Sequence, residues 1–111
     1  KKLIPEHKPY ENMEIRIQGI NFDLSEKLEA HIRKKTAKLL RIEDKIQSVD
    51  VYLKVVKPET AKNKEAEIKI LAPNAEFFSS KTYDTFEESV DTALEAIERQ
   101  IIKHKEKIRL K

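Results

Sequence analysis

The chain has 111 residues, a length that fits one domain, and 39% of them are charged, against about a quarter in ordinary soluble proteins. Its net charge is only +3, so a basic surface that serves in binding must be local. The absence of cysteine excludes disulfides and thiolate chemistry, and with neither a signal peptide nor an apolar run near the ~18 residues of a membrane span we expect a cytoplasmic protein.

The N-terminal segment is predicted to lie outside the fold. Residues 1–12 contain two prolines and no periodic pattern, which is typical of a leader or of an extension from an expression vector. Residues 13–111 are predicted to form the single domain. Its first strand begins at Met13, where apolar and polar residues alternate, and is expected to end at Gly19, the only glycine of the chain.

A basic helix is predicted to follow. Asp23 and Ser25 provide N-cap chemistry, and apolar residues recur at helical spacing as far as Arg41. Between Ser25 and Arg41 six bases stand against two acids, a local charge of +4. The bases that share one face or flank it are Lys27, Arg33, Lys34, Lys35, Lys38 and Arg41. On this helix alone, a solvated face is the favoured interpretation.

Three strands are predicted in the middle of the chain. Residues 49–55 give the clearest alternation of apolar and polar side chains, and a polar connector at 57–64 follows them. The next alternation covers residues 65–71. A tight turn at 74–75 then leads into a strand at 76–82.

The last helix carries the most informative charge pattern of the chain. A capping box, Thr85 with Glu88, predicts its start, and an apolar face at helical spacing, from Phe86 to Ile108, extends it over about two dozen residues. The six ionisable side chains from Asp84 to Glu98 are all acidic, whereas from Arg99 to Lys111 six bases stand against one acid.

Complementation of the helix dipole explains only part of this split. The dipole favours acids in the first turn and bases in the last, and its effect fades within about one turn. The basic stretch continues for about three turns, so Arg99 and Lys103 need another explanation. Two basic helices predict contacts with phosphates. No helix-turn-helix, zinc site or basic zipper is present, so RNA, with its closely spaced A-form phosphates, fits better than DNA.

The order β-α-β-β-β-α predicts an α+β domain in which two helices pack on one face of a four-stranded sheet, as in double-stranded-RNA-binding domains. Tyr52 and one of Phe77 and Phe78 are expected on the other face, where they would form at most a weak stacking platform. Without an RNP-type aromatic motif, recognition of single strands by stacking on the sheet is not expected. Scattered histidines and the lack of cysteine predict no metal and no cofactor. No serine has an activating neighbour, so we do not expect an enzyme.

Two stretches of the chain match the pattern of a known family. The positions of Tyr83–Lys107 that carry the likeness are Phe86, Asp91, Glu98, Arg99, Gln100, Ile101, Lys103, His104, Lys105 and Lys107. With Leu28–Leu40, which contains A-K-L, they resemble the helices of the ribosome hibernation-promoting factors and ribosome-associated inhibitors, the sigma-54 modulation or S30EA family, in its short form. Ala96 departs from the pattern, since many relatives have lysine there.

The resemblance implies a translation inhibitor of stationary phase and stress. Such a protein binds the small ribosomal subunit at the decoding region, where its basic helices contact 16S-type rRNA and its body overlaps the A and P sites. A short member would need a second factor for ribosome dimerisation. By position, the residues predicted to bind RNA are Lys27, Arg33, Lys34, Lys38, Arg99, Lys103, Lys105 and Lys107.

Two alternative functions stay open. A general double-stranded-RNA-binding module would bind any A-form duplex and would not prefer small subunits. A protein-interaction module with a regulatory role would bind a protein partner without a steep dependence on salt.

Overall fold

The computed structural model describes residues 13–57 and 61–109, so the predicted leader at 1–12 lies outside the described residues. The predicted order β-α-β-β-β-α is confirmed. The elements are β1 (Glu14–Ile20), α1 (Glu26–Ala37), a 3-10 turn (Lys38–Arg41), β2 (Ser48–Val55), β3 (Lys64–Ala72), β4 (Ala75–Tyr83) and α2 (Phe86–Arg109).

The four strands form one sheet in the order β1-β2-β3-β4. The connection through α1 makes β1 parallel to β2, while β2, β3 and β4 pair antiparallel. Ala72 pairs with Ala75, so the β3–β4 turn consists of Pro73 and Asn74 and lies one residue before the predicted position. Proline before a residue with a φ of 61°, as Asn74 has, is the combination that a type II turn requires.

Gly19 does not end the first strand, contrary to the prediction. It pairs with Leu53 inside β1, which continues to Ile20. A Cβ atom on Gly19 would lie 3.0 Å from the carbonyl oxygen of Phe22 and 3.1 Å from its ring. The ring of Phe22 in turn stacks on Phe86 at the start of α2, with ring centroids 4.9 Å apart. The glycine is therefore needed for close packing, and the chain reverses two residues later, at Asn21, where φ is 65°.

Both helices pack on one face of the sheet, as predicted. Alternate residues of β2, β3 and β4 are buried beneath them, among them Val51, Ile68 and Phe77. The Ser25 hydroxyl accepts from the amide of Leu28, which confirms the predicted N-cap of α1. Ile108 was expected on the apolar face of α2 but is 58% exposed. The 24-residue helix is about 36 Å long, whereas the nine-residue β4 spans about 30 Å, so the end of the helix projects past the sheet.

The outer edge of β4 is covered by side chains from α2. The amide group of Gln100 donates to the carbonyl oxygen of Phe78 at 2.7 Å and accepts from its amide at 3.3 Å. These two bonds occupy backbone groups that would otherwise be free to pair with another chain. On the inner side of β4, the Ser89 hydroxyl accepts from the amide of Tyr83 at 2.9 Å and donates to the carbonyl oxygen of Lys64, so it joins the ends of β4 and β3 to α2.

Candidate nucleic-acid interface

The two helices run parallel, which brings their C-terminal ends to the same edge of the molecule. His31 of α1 meets Asp91 of α2, with Nε2 2.9 Å from Oδ1. Further along, the Lys105 ammonium donates to the carbonyl oxygen of Ile42, directly after the 3-10 turn, at 2.5 Å. The basic ends of both helices therefore lie side by side, as one RNA-binding surface requires.

The acidic half of α2 has a partner that the sequence pattern did not reveal. A cleft between the helices is lined by basic residues of the first helical segment on one wall and by acids of α2 on the other. Its charged residues are Lys35, Lys38, Arg41, Asp91, Glu95 and Glu98. Part of the acidic run thus complements the neighbouring basic helix, in addition to matching the helix dipole. The sequence gives no direct signal for this, because it does not state which helix faces which.

Three of the predicted residues lie together in a groove between α1 and β1. Arg33, Lys34 and Lys38 line it with Arg41, and the apolar side chains of the groove are Ile15, Ala37 and Leu40. Arg41 was singled out as part of the basic face but was left out of the predicted RNA-binding set. Lys27 lies eleven residues, or about 16 Å of helix, before Lys38 and is not part of the groove.

The predicted bases of α2 are spread around the helix instead of sharing one flank. Lys105 faces the end of the first helical segment, where it donates to Ile42. Lys103 and Lys107 follow Gln100 by three and seven residues, which places them on the opposite flank, toward β4. A ligand that contacts all of them must therefore wrap around the end of the helix.

Most of the predicted residues are exposed cations without a partner among the described residues. Arg33 is the exception in α1, since it forms an ion pair with Glu29 at 3.0 Å, and Lys105 is the exception in α2. The side chains of the remaining six form no ion pair or hydrogen bond with any residue in 13–57 or 61–109: Lys27, Lys34, Lys38, Arg99, Lys103 and Lys107. We call these six the free cations. Unpaired surface ammonium and guanidinium groups are free to neutralise phosphates and to release the cations condensed around RNA, so they are suited to phosphate contacts.

The aromatic side chains divide between the faces as predicted. Phe77 is buried and packs edge-on against His104, with ring centroids 5.6 Å apart, whereas Phe78 is 53% exposed on the far face of the sheet. Tyr52 is 39% exposed on the same far face. Since these rings and the free cations lie on different sides of the sheet, base stacking is not available to a ligand held by the cations.

Other kinds of site find little support in the described part of the chain. Among those residues no three metal-ligating side chains cluster. No helix is long and apolar enough to cross a membrane among the residues searched.

Most of the chain matches a single family model. Residues 15–109 match the model of the sigma 54 modulation protein / S30EA ribosomal protein family. The chain belongs to this family. The match covers both helices and all four strands, so the resemblance predicted from the two helical stretches is confirmed.

Relatives that this chain resembles in sequence are named ribosome hibernation promoting factors. A ribosome hibernation promoting factor of Azotobacter vinelandii is 28% identical over 95 residues, which cover 86% of this chain and 85% of the relative. One from Pseudomonas putida is 26% identical over 95 residues, covering 86% and 89%.

Solved structures share the fold. A ribosomal subunit interface protein from Coxiella burnetii superimposes with a TM-score of 0.71 at 24% identity, covering 84% of this chain and 98% of that one. The N-terminal domain of Thermus thermophilus Protein Y gives a TM-score of 0.68 at 23% identity, covering 80% and 96%.

Proposed function

We propose that this protein binds the small ribosomal subunit at the decoding region, through contacts between its helices and 16S-type rRNA phosphates, and so inhibits translation in stationary phase or stress. The observation that carries the proposal is the convergence of the C-terminal halves of α1 and α2, in or directly after which five of the six free cations lie; Lys27 lies in the first turn of α1. Membership of the S30EA family, whose relatives here are named ribosome hibernation promoting factors, supports the choice of the ribosome as the target.

The geometry favours a duplex-rich or folded RNA as the ligand. The groove between α1 and β1 and the exposed end of α2 present cations in two rows, whose relative position is fixed by the Lys105–Ile42 hydrogen bond. Rows of cations on a rigid frame fit phosphates whose spacing is set by A-form geometry. The far face of the sheet carries more acids than bases, so only the helical side attracts RNA.

Inhibition of translation in this way requires no catalysed reaction. A protein held between the parts of the subunit that bind mRNA and tRNA excludes both by occupying their volume. The free energy of binding comes mainly from release of counterions when lysine and arginine side chains neutralise phosphates, so binding must weaken as salt rises.

The test is cosedimentation with purified small ribosomal subunits across a salt series. If all six free cations meet phosphates, the logarithm of the binding constant falls with the logarithm of salt concentration at a slope of about −4 to −5. The double variant Lys103→Gln, Lys107→Gln removes two contacts and flattens the slope by about 1.5 to 2. A double variant with the same charge change on the far face of the sheet, Lys54→Gln, Lys69→Gln, keeps the slope of the parent.

The outcomes separate the three candidate functions. Saturable one-to-one binding with these slopes supports the decoding-region inhibitor. Equal competition by any RNA duplex would favour a general double-stranded-RNA-binding module. If the protein stays in the supernatant even at low salt, the ribosomal proposal fails and a protein-interaction module becomes the better explanation.

A further inference from the structure

The face of the sheet that points away from the helices has its own chemical character. Its exposed apolar side chains are Tyr52, Leu71 and Phe78, with exposed fractions of 39%, 42% and 53%. Its charged side chains are Glu14, Arg16, Asp50, Lys54, Glu65, Glu67, Lys69 and Glu76. Five of these are acids and three are bases, so this open face is net negative while the helical side presents the free cations.

Each base of the open face is already engaged by an acid of the same face. Arg16 forms ion pairs with Asp50, at 2.6 Å, and with Glu14. The contact with Arg16 holds the pKa of Asp50 below its usual value. Lys69 meets Glu76 at 3.0 Å. The pairs neutralise the bases, so the open face has no cation left for a phosphate.

One carboxylate of the open face stays unpaired, and it lies beside Tyr52. Glu67 pairs with Tyr52 in the β2–β3 register and forms no ion pair with any residue that the structure describes. Its neighbour Glu65 is taken by Lys54, whose ammonium lies 3.7 Å from the buried Oε1 of Glu65. Together with Ile20 these four side chains line a shallow hollow.

This combination fits a guanidinium group. A planar cation stacks on an exposed tyrosine ring and donates in a fork to a carboxylate, which an ammonium group does less well. Glu67, half-buried and unpaired, is the carboxylate that an incoming guanidinium would meet beside the ring of Tyr52. Further along the same face, Phe78 on β4, opposite Lys69, and Leu71, four residues beyond Glu67 on β3, provide apolar surface for neighbouring residues of the same ligand.

We propose that the open face of the sheet is a docking surface for an arginine-bearing segment of a partner protein, with one arginine seated in the hollow beside Tyr52. The choice of a basic protein segment over RNA rests on charge: the face is net negative and its bases are occupied. Because the free cations lie on the opposite side, the molecule can bind RNA on one side and a basic protein on the other.

The test uses the full chain, labelled with ¹⁵N, and a synthetic peptide that alternates arginine and leucine. Addition of the peptide is expected to shift amide signals of β2 and β3 around Tyr52 and Glu67 in a saturable way. The double variant Tyr52→Ala, Glu67→Gln is expected to bind the peptide about tenfold more weakly, since it removes both the ring and the free carboxylate. Both side chains are exposed or half-buried, and a thermal melt of the variant confirms that it folds.

A matched control separates docking from general attraction of charges. Glu87→Gln removes one negative charge from an exposed position of α2 and is expected to change the affinity for the peptide less than about twofold. Shifts confined to the acidic half of α2, or equal weakening by Glu87→Gln, would overturn the proposal.

Two further results would assign the face to another occupant. If a short RNA duplex shifts the same β2 and β3 signals, the face binds RNA and the proposal is wrong. If those signals broaden with protein concentration in the absence of peptide, the occupant is a second copy of this chain. These outcomes leave the ribosomal proposal untouched, because none of them involves the helical side.

Discussion

Removal of the Ser89 hydroxyl is expected to destabilise the fold strongly, although the change deletes a single oxygen atom. The side chain is fully buried in the first turn of α2, and it joins three segments. Its oxygen accepts from the Tyr83 amide at 2.9 Å, and its proton can reach the Lys64 carbonyl oxygen at 2.5 Å or the carbonyl oxygen four residues earlier, that of Thr85, at 3.0 Å. Ser89→Ala leaves both backbone groups without this partner at the junction where β3, β4 and α2 meet.

The expected loss follows from the cost of unsatisfied groups. An unpaired buried donor or acceptor costs about 1–3 kcal/mol, so two partly relaxed groups predict a loss of about 2–3 kcal/mol in the free energy of unfolding. For a domain near this size each kcal/mol corresponds to about 4–8 °C, which predicts a fall of about 8–24 °C in Tm.

Urea denaturation followed by circular dichroism measures this loss. Thr92→Ala is the matched control, because the Thr92 hydroxyl also donates to the carbonyl four residues earlier, Glu88, but is not buried and joins no second element. We expect less than about 0.5 kcal/mol for the control. If Ser89→Ala costs no more than Thr92→Ala, the assignment of Ser89 as the junction of these three segments is wrong.

Three further predictions concern the sheet. Gly19→Ala is expected to lower the free energy of unfolding by about 1–3 kcal/mol, since its Cβ would collide with Phe22; a urea midpoint equal to the parent's would contradict this close packing. Arg16 lowers the pKa of Asp50, first through the hydrogen bond between the two side chains. The stability that this contact provides is therefore complete above the ordinary aspartate pKa of about 3.9. It is lost as the pH falls through the lowered pKa that Asp50 has in the folded state. Asp50→Asn should therefore make the free energy of unfolding less dependent on pH on the acid side of the profile. An unchanged pH dependence would contradict this prediction. Gln100→Ala uncovers the backbone of β4 and is expected to make the protein associate as its concentration rises, which sedimentation velocity measures. A variant that stays monomeric at all concentrations would show that this edge does not need to be covered.

Local patterns in the sequence were sufficient for the secondary structure. Period-two alternation located β2, and the Ser25 cap located the start of α1, because these signals depend on neighbours in the chain. Gly19 was misread, since a glycine that permits close packing has the same sequence signature as one that ends a strand. Ile108 was misread because periodicity does not show where the sheet beneath a helix ends.

The candidate site was only partly predictable, because its form depends on how the helices lie beside each other. The parallel register, set by His31–Asp91 and Lys105–Ile42, converts two separate basic stretches into one edge. The same register gives the acids of α2 a basic neighbour, and helical geometry moves Lys103 to the flank opposite Lys105. Sequence spacing identified the cations, and only the packing of the helices showed which of them are free.

The most direct test of the central claim is to locate the protein on the small subunit with a tethered probe. Since the chain has no cysteine, a single Ala30→Cys substitution gives one attachment point for an iron chelate. Ala30 is exposed and lies on the same face of α1 as Lys27 and Lys34, and its replacement removes no charge. Ser80→Cys, exposed on the open face of the sheet, is the matched control.

In the bound complex, hydroxyl radicals from residue 30 are expected to cleave 16S-type rRNA at nucleotides that line the A and P sites. Radicals from residue 80 should give a distinct and weaker pattern, because that face points away from the cationic edge. Cleavage from residue 30 that avoids the decoding region, or identical patterns from both positions, would contradict the account.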